Sequence, residues 1–182
     1  MKVSLSTAFS YIIYRYLAKW LPGSEAGKIG RLCCHFRYIL CKRIFAYCGT
    51  NVTIERNVDF GYGYRIEIGD NSGLGTNAVI PDGTKIGCNV MMGPNCYIHV
   101  RNHSFARTDI PMIQQGYQEY KYTIIEDDVW IGRDVVILPG RHVSKGSILA
   151  ANCVLVKDFP AFSIIGGNPS VLIKSRISSK NE

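Results

Sequence analysis

Reading every sixth residue from Ile68 gives Leu74, Ile80, Ile86, Met92 and Ile98, an unbroken apolar series. The same step runs backwards through Phe60, Ile54 and Cys48, with a two-residue slip near Ile66-Glu67. After a gap it resumes at Ile125, Ile131, Ile137, Val143, Leu149, Leu155 and Ala161. Neither a helix nor an ordinary strand has this period, so the chain is organised by an internal repeat. Gly often follows the aliphatic (Gly69, Gly75, Gly87, Gly93). The fifth position is modest in size (Ser72, Ala78, Thr84, Val90, Cys96), and Asn or Asp marks the bends. Such a unit is a short strand with one aliphatic pointing inward, closed by a tight turn that tolerates left-handed backbone angles. Three units make a triangular coil, and coils stack about 4.8 Å apart as parallel strands, each covering its neighbour's edge. An antiparallel sandwich would show period-2 alternation with turn signals roughly every 8 to 12 residues instead. The expectation is an all-β domain, a parallel β-helix of hexapeptide repeats over residues 48–172, with a tail at 173–182.

Residues 1–47 do not follow the period. Leu5, Ala8, Phe9, Ile12, Ile13, Tyr16, Leu17 and Trp20 stand at helical spacing. So do Ile29, Leu32, Cys33, Phe36, Ile39, Leu40 and Ile44, with Leu21-Pro22-Gly23-Ser24 as the break. Two amphipathic helices are predicted, packed on the open first coil, whose strand edges would otherwise invite aggregation. A second reading makes them a peripheral membrane element, because Lys28, Arg31, His35 and Lys42 fall beside a strongly apolar face.

Charge placement separates the two regions. Residues 1–48 hold eight Lys or Arg against Glu25 alone, which accounts for the whole formal charge of +7 and leaves the rest of the chain neutral. A nucleic-acid binder would spread cations over its main surface, so none is expected as a partner. The seven Cys are odd in number and lack metal-type pairs. The first apolar stretch is broken by Arg15 and Lys19, unlike a signal peptide. A reduced, cytoplasmic chain is the expectation, with the inner membrane face as its second location.

From Ile98 to Ile125 the series steps by 27 residues where 6 is expected. Loops of this length inside a compact domain are functional or disordered. The loop at 99–124 carries His99 and His103 among aromatic and charged residues. Imidazole, with an ordinary pKa of about 6.5, can take up and return a proton within one catalytic cycle. The two His lack metal-type helical spacing, and no metal site is expected.

These residues carry a resemblance. The hexads, Asn102-His103-Ser104-Phe105, Thr108-Asp109-Ile110-Pro111-Met112-Ile113-Gln114-Gln115-Gly116, Asp127-Asp128-Val129-Trp130-Ile131-Gly132, Leu138-Pro139-Gly140, Val156-Lys157-Asp158 and Gly166-Gly167-Asn168-Pro169 resemble, in order and spacing, the hexapeptide-repeat acetyltransferases. The branch with capsule and colanic-acid O-acetyltransferases is nearest, and maltose and galactoside acetyltransferases are cousins; the match spans about residues 45 to 175. The resemblance implies a left-handed β-helix, a homotrimer with active sites between subunits, acetyl-CoA as donor and a saccharide hydroxyl as acceptor, in surface or capsular polysaccharide synthesis. It implies His103 as the catalytic base, acting without an acyl-enzyme. It places Trp130, Ala151, Lys157 and Lys174 along CoA, where Lys174 replaces a frequent Arg and so lacks the bidentate fork.

Several positions depart from the family pattern. Val156 stands where a Thr is frequent, and Arg141 occupies a fifth hexad position usually held by a small aliphatic. Gly75 and Gly83 match the Asn and Asp that hold the acceptor in galactoside-type relatives. The neighbours Asn77 and Asp82 are the candidate substitutes. Gly73 removes an aromatic platform for a small sugar, which points to a larger or polymer-linked saccharide. Three other readings stay in view. A zinc enzyme of the γ-carbonic-anhydrase type would have to gather His99, His103 and His142. A non-catalytic scaffold would need only the solenoid. An antibiotic-modifying acetyltransferase would carry a longer insertion and C-terminal helices.

Overall fold

The computed structural model describes residues 4–177. Residues 47–166 wind into a parallel β-helix of about six turns, preceded by two helices, α1 (Leu5–Tyr16) and α2 (Gly27–Ile44). The first face stacks the strands Tyr47–Cys48, Glu67–Ile68, Lys85–Ile86, Ile124–Ile125 and His142–Val143. The second face runs through Met91–Met92, Trp130–Ile131, Ile148–Leu149 and Ser163–Gly166, with Thr53–Ile54 and Gly73–Leu74 paired at its base. Tyr97–Ile98, Val136–Ile137 and Val154–Leu155 form the third face, continued downward by bridges from Val79 to Tyr97 and to Asp59.

Most hexads send two side chains inward rather than the one expected. The aliphatics Ile54, Ile68, Ile80, Ile131 and Leu149 are fully buried, and so are the fifth-position residues Val58, Ala78, Val90, Val129 and Cys153. Each large aliphatic taken from water stabilises the fold by about 1.5 to 3 kcal/mol, and the stacked coils join them into one continuous core. At the bend between the first and second faces, Asn51, Asn71, Asn89 and Asp128 have φ of 54 to 58°, and at the next bend Asn57, Asn77, Asn95, Asp134 and Asn152 have φ of 57 to 61°. Asn and Asp tolerate this left-handed region better than other side-chain-bearing residues. Their amides also stack into a ladder, in which Asn57 donates to Asn77 and Asn77 to Asn95, each across 2.9 Å.

Coil length departs from eighteen residues at both ends. Tyr47 pairs with Glu67, twenty positions on, while Glu67 pairs with Lys85 after eighteen. The Asp59–Val79 bridge keeps the longer count, so the two extra residues lie in the turn after Phe60, ahead of Ile66-Glu67 where the sequence suggested them. At the top, Ile148 pairs with Ile164, sixteen positions on. The expected inward position Ala161 is therefore exposed, and Phe159 takes its place by bridging to Val143. Val171–Ser175 then turns back antiparallel to Ser163–Gly166, which carries regular structure into the segment read as a tail.

The helices do pack on the first coil, but only part of the apolar spacing faces it: Ile13, Phe36, Leu40 and Ile44 meet the core and most of the rest turn outward. In α1 the buried residues are Ser10 and Tyr14, and the Tyr14 hydroxyl donates to the carbonyl oxygen of Val58 at 2.9 Å. Leu5, Phe9, Ile12 and Tyr16 point outward, 91, 65, 53 and 78% exposed. In α2 the packed face is Gly30, Cys34, Arg37, Leu40, Cys41 and Ile44, whereas Ile29 and Leu32 face solvent. Arg37 is completely buried, and its five N–H groups all have acceptors: the carbonyl oxygens of Ile54, Ala18, Leu21 and Pro22 and the Cys34 sulfur. Buried polar partners, together with Leu40, Cys41 and Ile44, set which face docks.

Candidate active site

The insertion after Ile98 leaves the bend between the third and first faces as an arm with two antiparallel legs. The backbone N–H of Lys121 donates to Val100 O, that of Gln118 to Asn102 O, and that of Ser104 to Gly116 O. His103 bridges Tyr117 across the legs, and the two rings lie 4.2 Å apart with the imidazole exposed. Arg101 covers the same tyrosine, its guanidinium carbon 3.9 Å from the ring centre. Toward the tip, Gln115 fastens the turn through the Arg107 backbone N–H and through the carbonyl oxygens of Arg107 and Ile110. The tip also exposes Phe105, Met112 and Ile113.

A second feature lies on the second face. Trp130, Ile148, Ile164 and Lys174 succeed one another in register. Beside them Gly93, Gly132, Ala150 and Ala151 leave an apolar groove of about 480 Å³, flanked by Arg133. The groove is narrow-walled because its backbone is bare: a Cβ on Gly132 would come within 2.7 Å of the Ala151 nitrogen. A flexible, largely apolar chain with a polyanionic end fits such a slot between Trp130 and the cations at its margin.

The fold thus gathers Trp130 and Ala151 in one groove, with Lys174 one strand beyond it, paired with Ile164. Lys157 stands apart, in the bend between the third and first faces with its ammonium 5.4 Å above the Phe159 ring, at the edge from which the arm emerges. Asn77 sits in the amide ladder between the second and third faces. Asp82 lies across the coil, accepting from the Arg65 backbone and from its Nε at 2.7 Å. The two candidate acceptor residues are not brought together within one chain. The positions they would replace are closed: a Cβ on Gly75 would lie 2.0 Å from the Gly93 carbonyl oxygen, and one on Gly83 would lie 2.7 Å from the Tyr122 ring.

Arg141 has a structural account. Its guanidinium donates to the carbonyl oxygen of Val156 at 3.2 Å and lies 3.4 Å from Asp158, tying the coil at the root of the arm to the one above. The sequence reading missed the aromatic and guanidinium partners of His103, since Arg101, Tyr117, Tyr120 and Tyr122 follow no hexad. It also missed a pair on the first face, where His142 Nε2 lies 2.8 Å from Glu126. The Lys145 backbone N–H and then His142 hold the Glu126 carboxyl below its ordinary value. Among the described residues no three His, Cys, Asp or Glu side chains stand together as a metal cage.

Comparison with known proteins agrees with this architecture. The family model described as the hexapeptide repeat of succinyl-transferase matches residues 65–99 and 122–157. The galactoside O-acetyltransferase of Escherichia coli is 33% identical over 141 residues, 76% of this chain and 68% of that protein. A hexapeptide-repeat acetyltransferase of Vibrio cholerae solved with acetyl coenzyme A superimposes with a TM-score of 0.73 at 26% identity, covering 95% of this chain and 86% of that one. A galactoside acetyltransferase solved with coenzyme A gives 0.72 at 25% identity, over 96% of this chain and 84% of the other. The repeat-built coil, the His-bearing arm and these likenesses make this chain a member of the hexapeptide-repeat acetyltransferases, an acyltransferase by family.

Proposed function

We propose that this chain moves an acetyl group from acetyl-CoA to a saccharide hydroxyl, in the making of a surface or capsular polysaccharide, with His103 as the general base. The observation that carries the reading is the separation of base and groove. His103 rides at the bend between the third and first faces, and the groove beside Trp130 lies on the second. A donor in the groove of one copy meets the arm of a neighbour, which favours a homotrimer with its sites in the clefts. The exposed Phe105, Met112 and Ile113 at the arm's tip favour the same arrangement, because such side chains seek cover. Lys157 of the neighbouring edge and Lys174 beside the groove then neutralise phosphates from two sides.

In this reading His103 takes the hydroxyl proton as the sugar oxygen attacks the thioester carbonyl, then delivers it to the departing thiolate. The test is thiol release from acetyl-CoA with a panel of mono- and oligosaccharides, wild type against His103→Ala. Loss of acceptor-dependent release by about a hundredfold or more supports the base. Release that persists in the variant removes His103 from the role, and a chain that does not bind CoA ends the reading.

We infer also that the enzyme works at the cytoplasmic face of a membrane. Leu5, Phe9, Ile12, Tyr16 and Trp20 of the first helical segment and Ile29 and Leu32 of α2 are exposed, and so are the cations Lys28, Arg31, Lys42 and Arg43 of α2. Among the described residues no helix is long and apolar enough to cross a membrane, so contact would be peripheral. Failure to bind anionic vesicles at low salt would end this part of the proposal.

A further inference from the structure

Between the base of the arm and His103 the surface carries a continuous series of guanidinium and phenol groups. Arg65 lies 5.1 Å from the Tyr122 ring, Tyr122 stacks on Tyr120 at 6.3 Å with their planes 13° apart, and Arg101 lies 4.6 Å from Tyr120 and 3.9 Å from Tyr117. Tyr117 then meets His103. Tyr117 and Tyr120 are more than half exposed, and Tyr122 is exposed at 37%. Tyr120 and Tyr122 share one side because they are two apart on an extended leg, while Lys121 between them turns toward Gly140. The seat of Tyr122 is Gly83, whose missing Cβ lets the ring lie against the backbone.

We propose that this ladder is an acceptor track that holds several consecutive sugar rings of an oligosaccharide and delivers one hydroxyl to His103. The proposal rests on the acetyl-transfer reading and adds the size of the acceptor. Tyrosine faces offer rigid apolar area at small entropic cost, and phenol and guanidinium edges offer hydrogen bonds, which together suit the alternating C–H and O–H surface of a sugar. The same aromatic and cationic surface would suit nucleic-acid bases, but the charge argues otherwise. The ladder stands in the neutral part of the chain, and Asp82 neutralises Arg65 at 2.7 Å, leaving too little positive field for a phosphate backbone. It differs from the apolar tip of the arm, where Phe105, Met112 and Ile113 lack hydrogen-bonding edges.

The experiment uses the full chain with glucose, maltose-series and chitin-series sugars from one to six units. Saturation-transfer NMR from tyrosine ring protons reads binding, acetyl transfer reads kcat/KM, and sedimentation reads the oligomer. The expected result is transfer of saturation to the longer chains. The ratio of kcat/KM for six units over one should be about tenfold in wild type, lost in Tyr120→Ala and Tyr122→Ala and reduced only in part in the Phe variants, which keep the ring face and lose the hydroxyl. No saturation transfer to any chain overturns the proposal, as does turnover indifferent to length. A length preference that survives in both Ala variants while the oligomer dissociates assigns the ladder to subunit contact and also overturns it. Sugar binding with the expected Tyr dependence but no acetyl transfer would support the track while removing the acetyl-transfer reading.

Discussion

The Nε of Arg37 donates to the carbonyl oxygen of Ile54 across 2.7 Å, joining the middle of α2 to the first strand of the second face. The other four N–H groups of the same guanidinium hold the linker between the helices and the Cys34 sulfur, so one side chain fixes the helical cap on the coil. Removing it takes a donor from four carbonyl oxygens, of which that of Ile54 is buried in the coil. Arg37→Leu should cost about 3 kcal/mol or more, measured by urea unfolding. Arg37→Lys should recover little, because an ammonium has three donors and no planar fork. Full recovery by Lys would mean that charge, not geometry, holds the cap.

Asp59 anchors the same cap from below, accepting from Arg15 at 2.8 Å and from Lys19 at 2.7 Å. Partial burial pushes its carboxyl up, but the hydrogen bonds from Lys19, Arg15 and the Gly61 backbone outweigh this and hold it well below the ordinary range. A carboxylate depressed on folding stabilises above its unfolded pKa, about 3.9, and that stability is lost as pH falls toward the folded value. The melting difference between wild type and Asp59→Asn should be constant above about pH 5 and shrink below about pH 4. A difference independent of pH down to acid conditions would refute the ion-pair account.

The arm is separable from the coil. Deleting residues 100–120 joins His99 to Lys121 and restores the six-residue step from Ile98 to Ile125, with Thr123 in the place that Thr84 holds one coil below. The deletion variant should keep a cooperative melt and the parallel-sheet circular dichroism of the parent, and should lose acetyl transfer. Unfolding of the variant would show that the coil depends on the arm.

Thr123 and Thr84 form a matched pair. Thr84 donates its hydroxyl to Pro81 O at 2.7 Å, whereas the buried Thr123 hydroxyl has no partner, because the arm replaces the turn that would supply one. Thr123→Val should stabilise by about 1 kcal/mol, and Thr84→Val should destabilise by about the same amount. Equal signs for the two in thermal denaturation would contradict this.

Trp130 is half exposed at the mouth of its groove. If the groove takes the donor, Trp130→Ala should raise KM for acetyl-CoA about tenfold with a smaller change in kcat, the signature of lost uniform binding. A fall in kcat alone would place the residue at the reacting atoms instead.

The hexad made most of the coil readable, because a buried aliphatic every six residues leaves no other economical fold for residues 67–155. The arm was readable as a departure from that count. What escaped was decided by polar or aromatic contacts without a period. The docking faces of α1 and α2 turn on Ser10, Tyr14 and Arg37, which hydropathy reads as solvent-facing or neutral, while Leu5 and Leu32 point away. Phe159 displaced Ala161 because the last coil is two residues short. The Tyr117–His103 contact links positions fourteen apart on two legs of a loop, a pairing that nothing local announces.

The coil keeps time by counting residues. Eighteen more would add a storey, but six more between Ile125 and Trp130 would swing the groove round to another face and out of step with the arm. The arm obeys no such count, since it leaves and re-enters the coil at the same bend, between Ile98 and Ile124. Its length can change without shifting the coil so long as the return is in phase, so what the arm does is separable from what holds the coil up.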